Sequence, residues 1–425
     1  MIRAIAFVLG LALAGSAAAQ ERPYVAVAGP ERGESVCPGG ICQVEALTPV
    51  FQRFLEIERG PGGLVHILQL GDSHTAGDRI TGKLRADLQA RFGSAGRGVL
   101  PAGVPYEGYA PMGVQVTATD WSTSPAPLVA RDGVPIGVAG LAGILRPTFG
   151  PRPVLTLALE PGAAPSSLKL CGREGPVGGD FDITVQGQWI PMLMTQTMNI
   201  PDERLTGGMG CLGRLLPDGT TTIELRPHGA NAEPYSLMLE ARSGVMVSAL
   251  GVVGSTLRDL AARDDGLARA ELAIWRPTLI VLAYGVNEGF DDVLDGRAYE
   301  TLLREQIGRF RRLRPEAALM ILGAPDAVRS GAHGGCSADG QRAPPPSLAM
   351  VRDVQRRVAA DLGVAFWDWQ GRMGGACSSD RLALRDEPYM RGDRVHFTSI
   401  GADWIGGLLS ADLMAAYEAW KRGGR

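Results

Sequence analysis

The stretch from residue 64 to residue 78 constrains this chain most, because it joins a strand-like run to a helical pattern through a polar turn. Residues 64–70 are largely apolar without alternation, which is typical of a parallel strand covered on both faces. A turn containing Ser73 follows, and residues 80–92 then show helical spacing of apolar side chains. Open α/β sheets bind their ligands at such strand ends. Taken alone, the stretch also fits an ordinary turn in which Ser73 or Thr75 caps the helix.

Strands and helices alternate again in the last part of the chain. Strand-length apolar runs occupy residues 245–250, 278–283, 318–322 and 364–368. Helical patterns occupy residues 257–275, 298–313 and 348–362, with a last helix that we expect Ser399 to cap. This alternation predicts an α/β fold with a doubly wound parallel sheet.

The middle of the chain, residues 113–244, has another pattern. Short β-prone pieces are separated by Gly, Pro, Asn and Asp turns, as in a β-sandwich or jelly roll. A long decoration of loops is the alternative, but more than about 15 residues of structureless loop is already uncommon in a compact domain. We therefore predict that residues 113–244 are a β-sandwich inserted between two parts of one α/β domain, residues 20–112 and 245–425.

The N-terminus has the pattern of a cleaved secretory signal peptide over residues 1–19. Arg3 precedes an apolar stretch over residues 5–14, and small residues follow at 17–19. An uncleaved anchor is the alternative, and no transmembrane segment is expected in the mature chain. A formal net charge of −3 gives no electrostatic reason to expect a nucleic-acid partner. The expected location is the periplasm or another exported site.

Six cysteines follow the predicted signal peptide. An even number in an oxidising compartment indicates disulfides, although six cysteines allow 15 connectivities. The separations favour pairing between neighbours, Cys37–Cys42, Cys171–Cys211 and Cys336–Cys377. A metal site is less favoured, because the sequence has no Cys-x-x-Cys and its histidines do not cluster with the cysteines.

Five residues near predicted strand ends and in the last loop carry the functional signal. Nucleophilic acyl transfer needs an activated oxygen, a base, a group that orients the base, and oxyanion donors. Ser73, Gly254 and Asn287 each follow a predicted strand, and Asp393 lies three residues before His396. The short Asp-x-x-His spacing would let the carboxylate orient the imidazole.

In this order, the residues resemble the GDSL or SGNH hydrolases, a family named after its invariant Ser, Gly, Asn and His. The matching blocks are Gly-Asp-Ser-His at 71–74, Val-Val-Gly at 252–254, Gly-Val-Asn-Glu at 285–288 and Asp-Arg-Val-His at 393–396. The resemblance implies a flavodoxin-like three-layer α/β fold and a reaction that needs no metal or organic cofactor.

The same resemblance assigns roles to the five residues. It implies that Ser73 is the nucleophile, His396 the base and Asp393 its orienter. The backbone N–H groups of Ser73 and Gly254 and the side-chain amide of Asn287 would form the oxyanion hole. From the residues alone, Gly251 competes with Gly254 for its place.

Two positions depart from the usual blocks, since His74 stands in place of Leu and Glu288 in place of Asp. The longer runs GDSHTAGD and YGVNEGF resemble the branch that contains bacterial peptidoglycan O-acetylesterases. Members of that branch carry a carbohydrate-binding-module-like β domain between their first and second blocks. The resemblance therefore implies an exported serine esterase that removes O-acetyl groups from a bacterial glycan, with peptidoglycan acetylated at O6 of N-acetylmuramic acid as the expected substrate.

Other functions are compatible with parts of this pattern. A polysaccharide or peptidoglycan O-acetyltransferase would use the same catalytic residues, and a wall-binding protein would keep the fold without activity. A lipase or thioesterase fits less well, because the insert indicates a polymer-binding surface. A metal phosphoesterase would need Asp72, His74, Asp78 and His396 as ligands.

Overall fold

The structure is a computed structural model that describes residues 29–60, 62–123, 137, 145–147, 153–160, 165–173, 180–189, 209–228, 234–331 and 334–423. The predicted signal peptide, residues 1–19, lies outside these ranges. Within them, no helix combines the length and the apolar character that crossing a membrane requires.

The described chain contains strands and helices in alternation at both ends and strands alone in the middle. The strands are β1 Ile41–Cys42, β2 Leu64–Gly71, β3 Gly98–Pro101, β4 Val114–Thr119, β5 Trp121–Thr123, β6 Leu145–Pro147, β7 Val154–Leu159, β8 Ser167–Arg173, β9 Asp180–Val185, β10 Gln188–Trp189, β11 Met209–Leu215, β12 Thr222–His228, β13 Pro234–Glu240, β14 Gly244–Gly251, β15 Leu279–Ala283, β16 Ala318–Leu322, β17 Arg329–Ser330, β18 Gly334–Gly335, β19 Gln341–Ala343 and β20 Ala365–Trp367. The α-helices are α1 Thr48–Arg59, α2 Ser73–Ala76, α3 Arg79–Phe92, α4 Leu257–Ala261, α5 Asp265–Trp275, α6 Val286–Gly289, α7 Gly296–Leu313, α8 Leu348–Leu362, α9 Trp369–Met373, α10 Ser378–Ala383 and α11 Ser399–Gly423.

A six-stranded sheet in the order β1-β20-β16-β15-β2-β14 forms the centre of the α/β part. All its pairs are parallel except the edge pair of β1 and β20. Alternate residues of β2 pack into different hydrophobic cores: Leu68 and Leu70 on the face covered by α5, α7 and α8, and Val65 and Ile67 on the face covered by α1, α3 and α11. The predicted three-layer α/β fold is therefore confirmed.

Two predicted details are wrong by a turn or less. The helix expected over residues 257–275 is divided into α4 and α5, because the Asp264 carboxylate accepts the Leu267 N–H and starts a new helix. The cap of α11 is Thr398 rather than Ser399, since Thr398 Oγ1 accepts the Gly401 N–H at 3.2 Å.

Between the two α/β parts, antiparallel strands form two larger sheets. Their orders are β10-β9-β12-β7-β4 and β11-β8-β13-β3. Apolar side chains from both sheets, such as Leu157 and Leu237, share one buried core, as in a β-sandwich. Because β3 pairs with β13, this sandwich already includes residues before 113. The domain boundaries at 113 and 244 stay a prediction.

A buried ionic cluster connects the sandwich to the α/β part. The Asp78 carboxylate, just before α3, binds Arg85 of α3 and Arg97 at the entry to β3. It also accepts the Met112 N–H at 2.9 Å, two residues before β4. Buried charges need such opposite-charge partners. The cluster therefore fixes the chain segments that lead into β3 and β4.

Candidate active site

Ser73 is the first residue of α2, directly beyond the carboxyl end of β2. Asp72 caps this helix by accepting the His74 N–H at 2.9 Å, so neither Ser73 nor Thr75 is the cap. Gly71 permits the sharp turn, because a Cβ there would lie 2.2 Å from Thr75 Oγ1 and 2.6 Å from the Ala283 carbonyl oxygen. The Ser73 hydroxyl therefore lies at the carboxyl ends of the parallel strands.

A hydrogen-bonded chain joins Ser73, His396 and Asp393. Ser73 Oγ lies 2.9 Å from His396 Nε2, and His396 Nδ1 lies 2.8 Å from Asp393 Oδ2. The other carboxylate oxygen accepts the N–H groups of Val395 and His396 at 2.9 and 3.0 Å. Partial burial alone would raise the pKa of Asp393, but these two N–H groups and the imidazole hold it below its ordinary value. The carboxylate is therefore kept ionised beside the imidazole.

Gly254 and Asn287 follow β14 and β15, the strands on either side of β2. Asn287 Nδ2 donates to the Ser255 carbonyl at 2.8 Å, which ties the two strand-end loops together. In the described part of the chain, neither the Ser73 N–H nor the Gly254 N–H donates to a protein acceptor. Such unused donors are what an oxyanion site requires.

Gly251 and Gly254 have different surroundings, although sequence alone leaves either possible as an oxyanion donor. A Cβ on Gly251 would lie 2.1 Å from the Ala76 nitrogen, so this glycine allows β14 to pack against α2. Gly254 has a φ of +77° and no atom within 4 Å of a built Cβ. The space on the Cβ side of Gly254 is open, and this geometry favours it over Gly251.

Glu288 supports the loop that contains Gly254. Its Oε1 accepts the Leu257 N–H at 2.8 Å, at the start of α4. Burial raises the pKa of Glu288 to about 7. Glu288, which stands where the family has Asp, therefore places its carboxyl group against the N-terminus of α4, the helix that follows Gly254.

His74 is a site residue to which the sequence assigned no role. It is buried, and it contacts both the Asp72 carboxylate and the backbone of Val395. The only available signal was its identity, a polar ring directly after Ser73 where the resemblance leads one to expect Leu. Among the described residues, no group of three or more His, Cys, Asp or Glu side chains is placed to hold a metal ion.

The three disulfides join neighbouring cysteines, namely Cys37–Cys42, Cys171–Cys211 and Cys336–Cys377. Cys377 immediately precedes α10, whose Asp380 accepts a hydrogen bond from Arg394 Nε at 3.1 Å. The third disulfide therefore lies on the segment that supports the Asp393–His396 turn.

The fold is shared with a solved structure. A peptidoglycan O-acetylesterase structure superposes with a TM-score of 0.70 and 24% sequence identity, covering 89% of this chain and 99% of that one. An acetyl xylan esterase matches with a TM-score of 0.27 and 16% identity, over 39% of this chain and 78% of the other. A family two carbohydrate esterase from Clostridium thermocellum matches with a TM-score of 0.29 and 11% identity, over 75% and 98%. Curated protein sequences give no match.

A family model adds evidence from sequence. Residues 222–404 match the GDSL-like lipase/acylhydrolase family. The matched segment contains Gly254, Asn287, Asp393 and His396, whereas Ser73 lies before the sandwich strands that interrupt the α/β part. Residues 222–404 are therefore similar to a GDSL-like lipase/acylhydrolase domain.

Proposed function

We propose that the protein is an exported serine esterase that removes O-acetyl groups from a bacterial glycan, with peptidoglycan acetylated at O6 of N-acetylmuramic acid as its substrate. The observation that carries the proposal is the hydrogen-bonded chain from Ser73 through His396 to Asp393. It supplies a nucleophile, a base and an orienter at the carboxyl edge of the sheet.

The proposed reaction is a double displacement. His396 Nε2 accepts the hydroxyl proton as Ser73 Oγ attacks the acetyl carbonyl carbon, and Asp393 holds the opposite ring nitrogen as an N–H donor. The N–H groups of Ser73 and Gly254 and the Asn287 amide stabilise the oxyanion. His396 then returns the proton to the sugar oxygen as the ester bond breaks. Water attacks the acetyl-serine in the second half, which releases acetate and restores the free hydroxyl.

The position of the sandwich supports the proposal of a polymeric substrate, because a residue of the sandwich region contacts the segment that carries the nucleophile. Tyr106, between β3 and β4, donates its hydroxyl to the Ala76 carbonyl at 2.7 Å, three residues after Ser73. The similarity in fold to a peptidoglycan O-acetylesterase extends over 89% of this chain. The three disulfides fit an oxidising exported location.

The first experiment measures acetate released from O-acetylated peptidoglycan by the purified protein. Ser73→Ala should abolish release without unfolding, whereas Ser94→Ala should retain it. Ser94 is a fitting control because it pairs with Val245 near the opposite end of β14. Wild-type turnover by Ser73→Ala, or no release by the wild type, would refute the serine esterase.

Two further measurements distinguish the alternatives. Glycan acceptors are added with an acetyl donor, and free acetate is compared with acetylated sugar; predominant transfer would identify an acetyltransferase instead. A series of acyl esters of increasing chain length should show a preference for acetyl. A preference for long chains would indicate a lipase.

Glycan binding by the sandwich has its own test in Trp189. This side chain is 59% exposed on the edge strand β10, and an indole face provides a large surface for stacking a sugar ring. Trp189→Ala should weaken activity on polymeric peptidoglycan and leave activity on a small acetyl ester unchanged. Leu215→Ala removes a comparably exposed apolar side chain from the other sheet and serves as the control. Equal effects of the two substitutions would mean that Trp189 does not bind the glycan.

A further inference from the structure

His74 is a buried ionisable group next to Ser73 that the proposed reaction does not use. Its side chain is 3% exposed. Its ring lies 5.5 Å from the His396 ring at an interplanar angle of 27°. The rings of Trp369 and Phe397 lie 5.5 and 5.9 Å away, each at an interplanar angle of 73°. A polar ring in such surroundings needs partners for both nitrogens.

The partners of His74 determine its protonation. Nδ1 lies 3.1 Å from Asp72 Oδ1, and Nε2 lies 2.9 Å from the Val395 carbonyl oxygen. A carbonyl oxygen only accepts, and Asp72 Oδ1 already accepts the His74 backbone N–H at 2.9 Å. A neutral imidazole has one donor and one acceptor nitrogen, so only the doubly protonated ring satisfies both contacts.

His66 shows the opposite arrangement within the same protein. Its Nδ1 contacts the Trp275 carbonyl oxygen at 2.8 Å, but its Nε2 contacts the Ser248 hydroxyl at 2.7 Å. A hydroxyl can donate, so the neutral ring satisfies both contacts. Burial accordingly lowers the pKa of His66 to about 4. Burial alone therefore does not explain a charged His74.

The two bonds of His74 connect the segments that carry the reacting groups. Asp72 and His74 flank Ser73, whereas Val395 immediately precedes His396 in a segment more than 300 residues away in sequence. The contact between Ser73 and His396 is thus accompanied by a buried link between their backbones. Loss of that link would let the two segments separate, and misplacement by about 1 Å costs roughly 100-fold in rate.

We propose that His74 is a positioning residue held as an imidazolium, that it fixes the His396 segment against α2, and that its deprotonation causes activity to fall at alkaline pH. This inference rests on the proposed esterase function only for its activity readout. The charged state of the ring is independent of catalysis.

The charged and titratable groups facing His74 are Asp72, Asp393 and His396. Burial alone would lower the pKa of His74, but the Asp72 carboxylate, the Val395 carbonyl and Asp393 together raise it above its ordinary value. A raised pKa means that the link is fully formed below the ordinary histidine value. It is lost as the pH rises through the raised value.

The direct test is an NMR titration of the histidine ring nitrogens in the full chain carrying Ser73→Ala. The sequence has five histidines, which keeps the spectrum simple, and backbone assignment identifies His74 without a variant at that position. We expect both His74 nitrogens to be protonated at pH 7 and His66 to be neutral. A neutral His74 ring at pH 7 would overturn the inference even if the wild type is a fully active esterase.

The kinetic test separates geometry from charge with a small acetyl ester. His74→Phe keeps a ring without donors and should lower kcat about 100-fold with little change in KM. His74→Gln keeps one donor for Val395 and should recover part of that loss. Both variants should lack the alkaline decline, whereas His66→Gln, the control for a buried histidine, should keep it. An alkaline decline that persists in both His74 variants would overturn the inference.

Discussion

Asn287→Ala tests the oxyanion site through a side chain that donates two N–H groups. One group donates to the Ser255 carbonyl at 2.8 Å, and this bond leaves the second for the substrate oxygen. Loss of one oxyanion donor lowers kcat by roughly 100- to 1,000-fold, or about 2.7–4 kcal/mol of transition-state stabilisation. Because the donor acts on charge that develops in the transition state, KM should change little.

The same substitution also removes a structural bond, which has to be measured separately. A neutral hydrogen bond contributes about 1 kcal/mol to the free energy of unfolding. Gln89→Ala is a suitable control, since Gln89 Nε2 donates to the carbonyls of Gly96 and Val245. Val245 is the second residue of β14, whereas Gly254 follows the end of that strand. We expect this control to lose stability and retain kcat.

The assay is steady-state hydrolysis of a small acetyl ester, with urea unfolding of each variant in parallel. A lower kcat in Asn287→Ala at nearly unchanged KM supports the oxyanion role. A variant with normal kcat and raised KM would mean that Asn287 contacts the sugar. Equal losses of kcat in both variants would mean that the effect comes from stability.

Four further variants test the site and its support. Asp393→Asn should lower kcat by up to about 10⁴-fold, because an amide cannot hold the required tautomer. Because the pKa of Asp393 is lowered in the folded protein, its carboxylate stabilises the fold above the ordinary carboxyl pKa and loses this effect as the pH falls through the lowered pKa. The stability of Asp393→Asn should therefore change less with pH in the acid range. Gly251→Ala should lower the free energy of unfolding by about 1–3 kcal/mol or more, because its Cβ would meet the backbone of α2. Gly254→Ala should lower it by only about 1–2 kcal/mol, because this residue has a positive φ but open space for a side chain. Thermal unfolding compares the two variants. Replacing both Cys336 and Cys377 by Ser opens a link between residues 41 apart and should lower the free energy of unfolding in urea by about 2–4 kcal/mol.

The α/β fold could be predicted because its signals are local. Each buried strand is a short apolar run, and β2 keeps this character along nearly its whole length. The strand β3 gave no such signal, since Gly98–Pro101 is short and its partner β13 lies more than 130 residues later. Thr398 and Ser399 can both cap a helix, and the choice between them depends on the backbone geometry.

The candidate site was predictable as residue types and not as geometry. Ser73, Asn287 and His396 could be identified from polar residues near strand ends and from the spacing of the blocks. The choice between Gly251 and Gly254 depends on the space around each Cα, which sequence does not contain. The protonation of His74 depends on two acceptors, one of them a backbone oxygen, and no residue pattern specifies that contact.

The order within this site comes from buried links between segments that are distant in sequence. Asp72 N–H donates to the Ala283 carbonyl at 3.4 Å, which joins the Ser73 turn to the end of β15. Glu288, five residues beyond the end of β15, holds the first turn of α4 after Gly254. His74 joins the same Ser73 turn to Val395. Each link contains a buried carboxyl, imidazole or backbone group and none of the proposed reacting atoms. Substitutions at these links should therefore lower kcat by displacing the reacting groups rather than by removing them. The size of each loss of kcat then measures how closely the segments must be held for the proposed reaction.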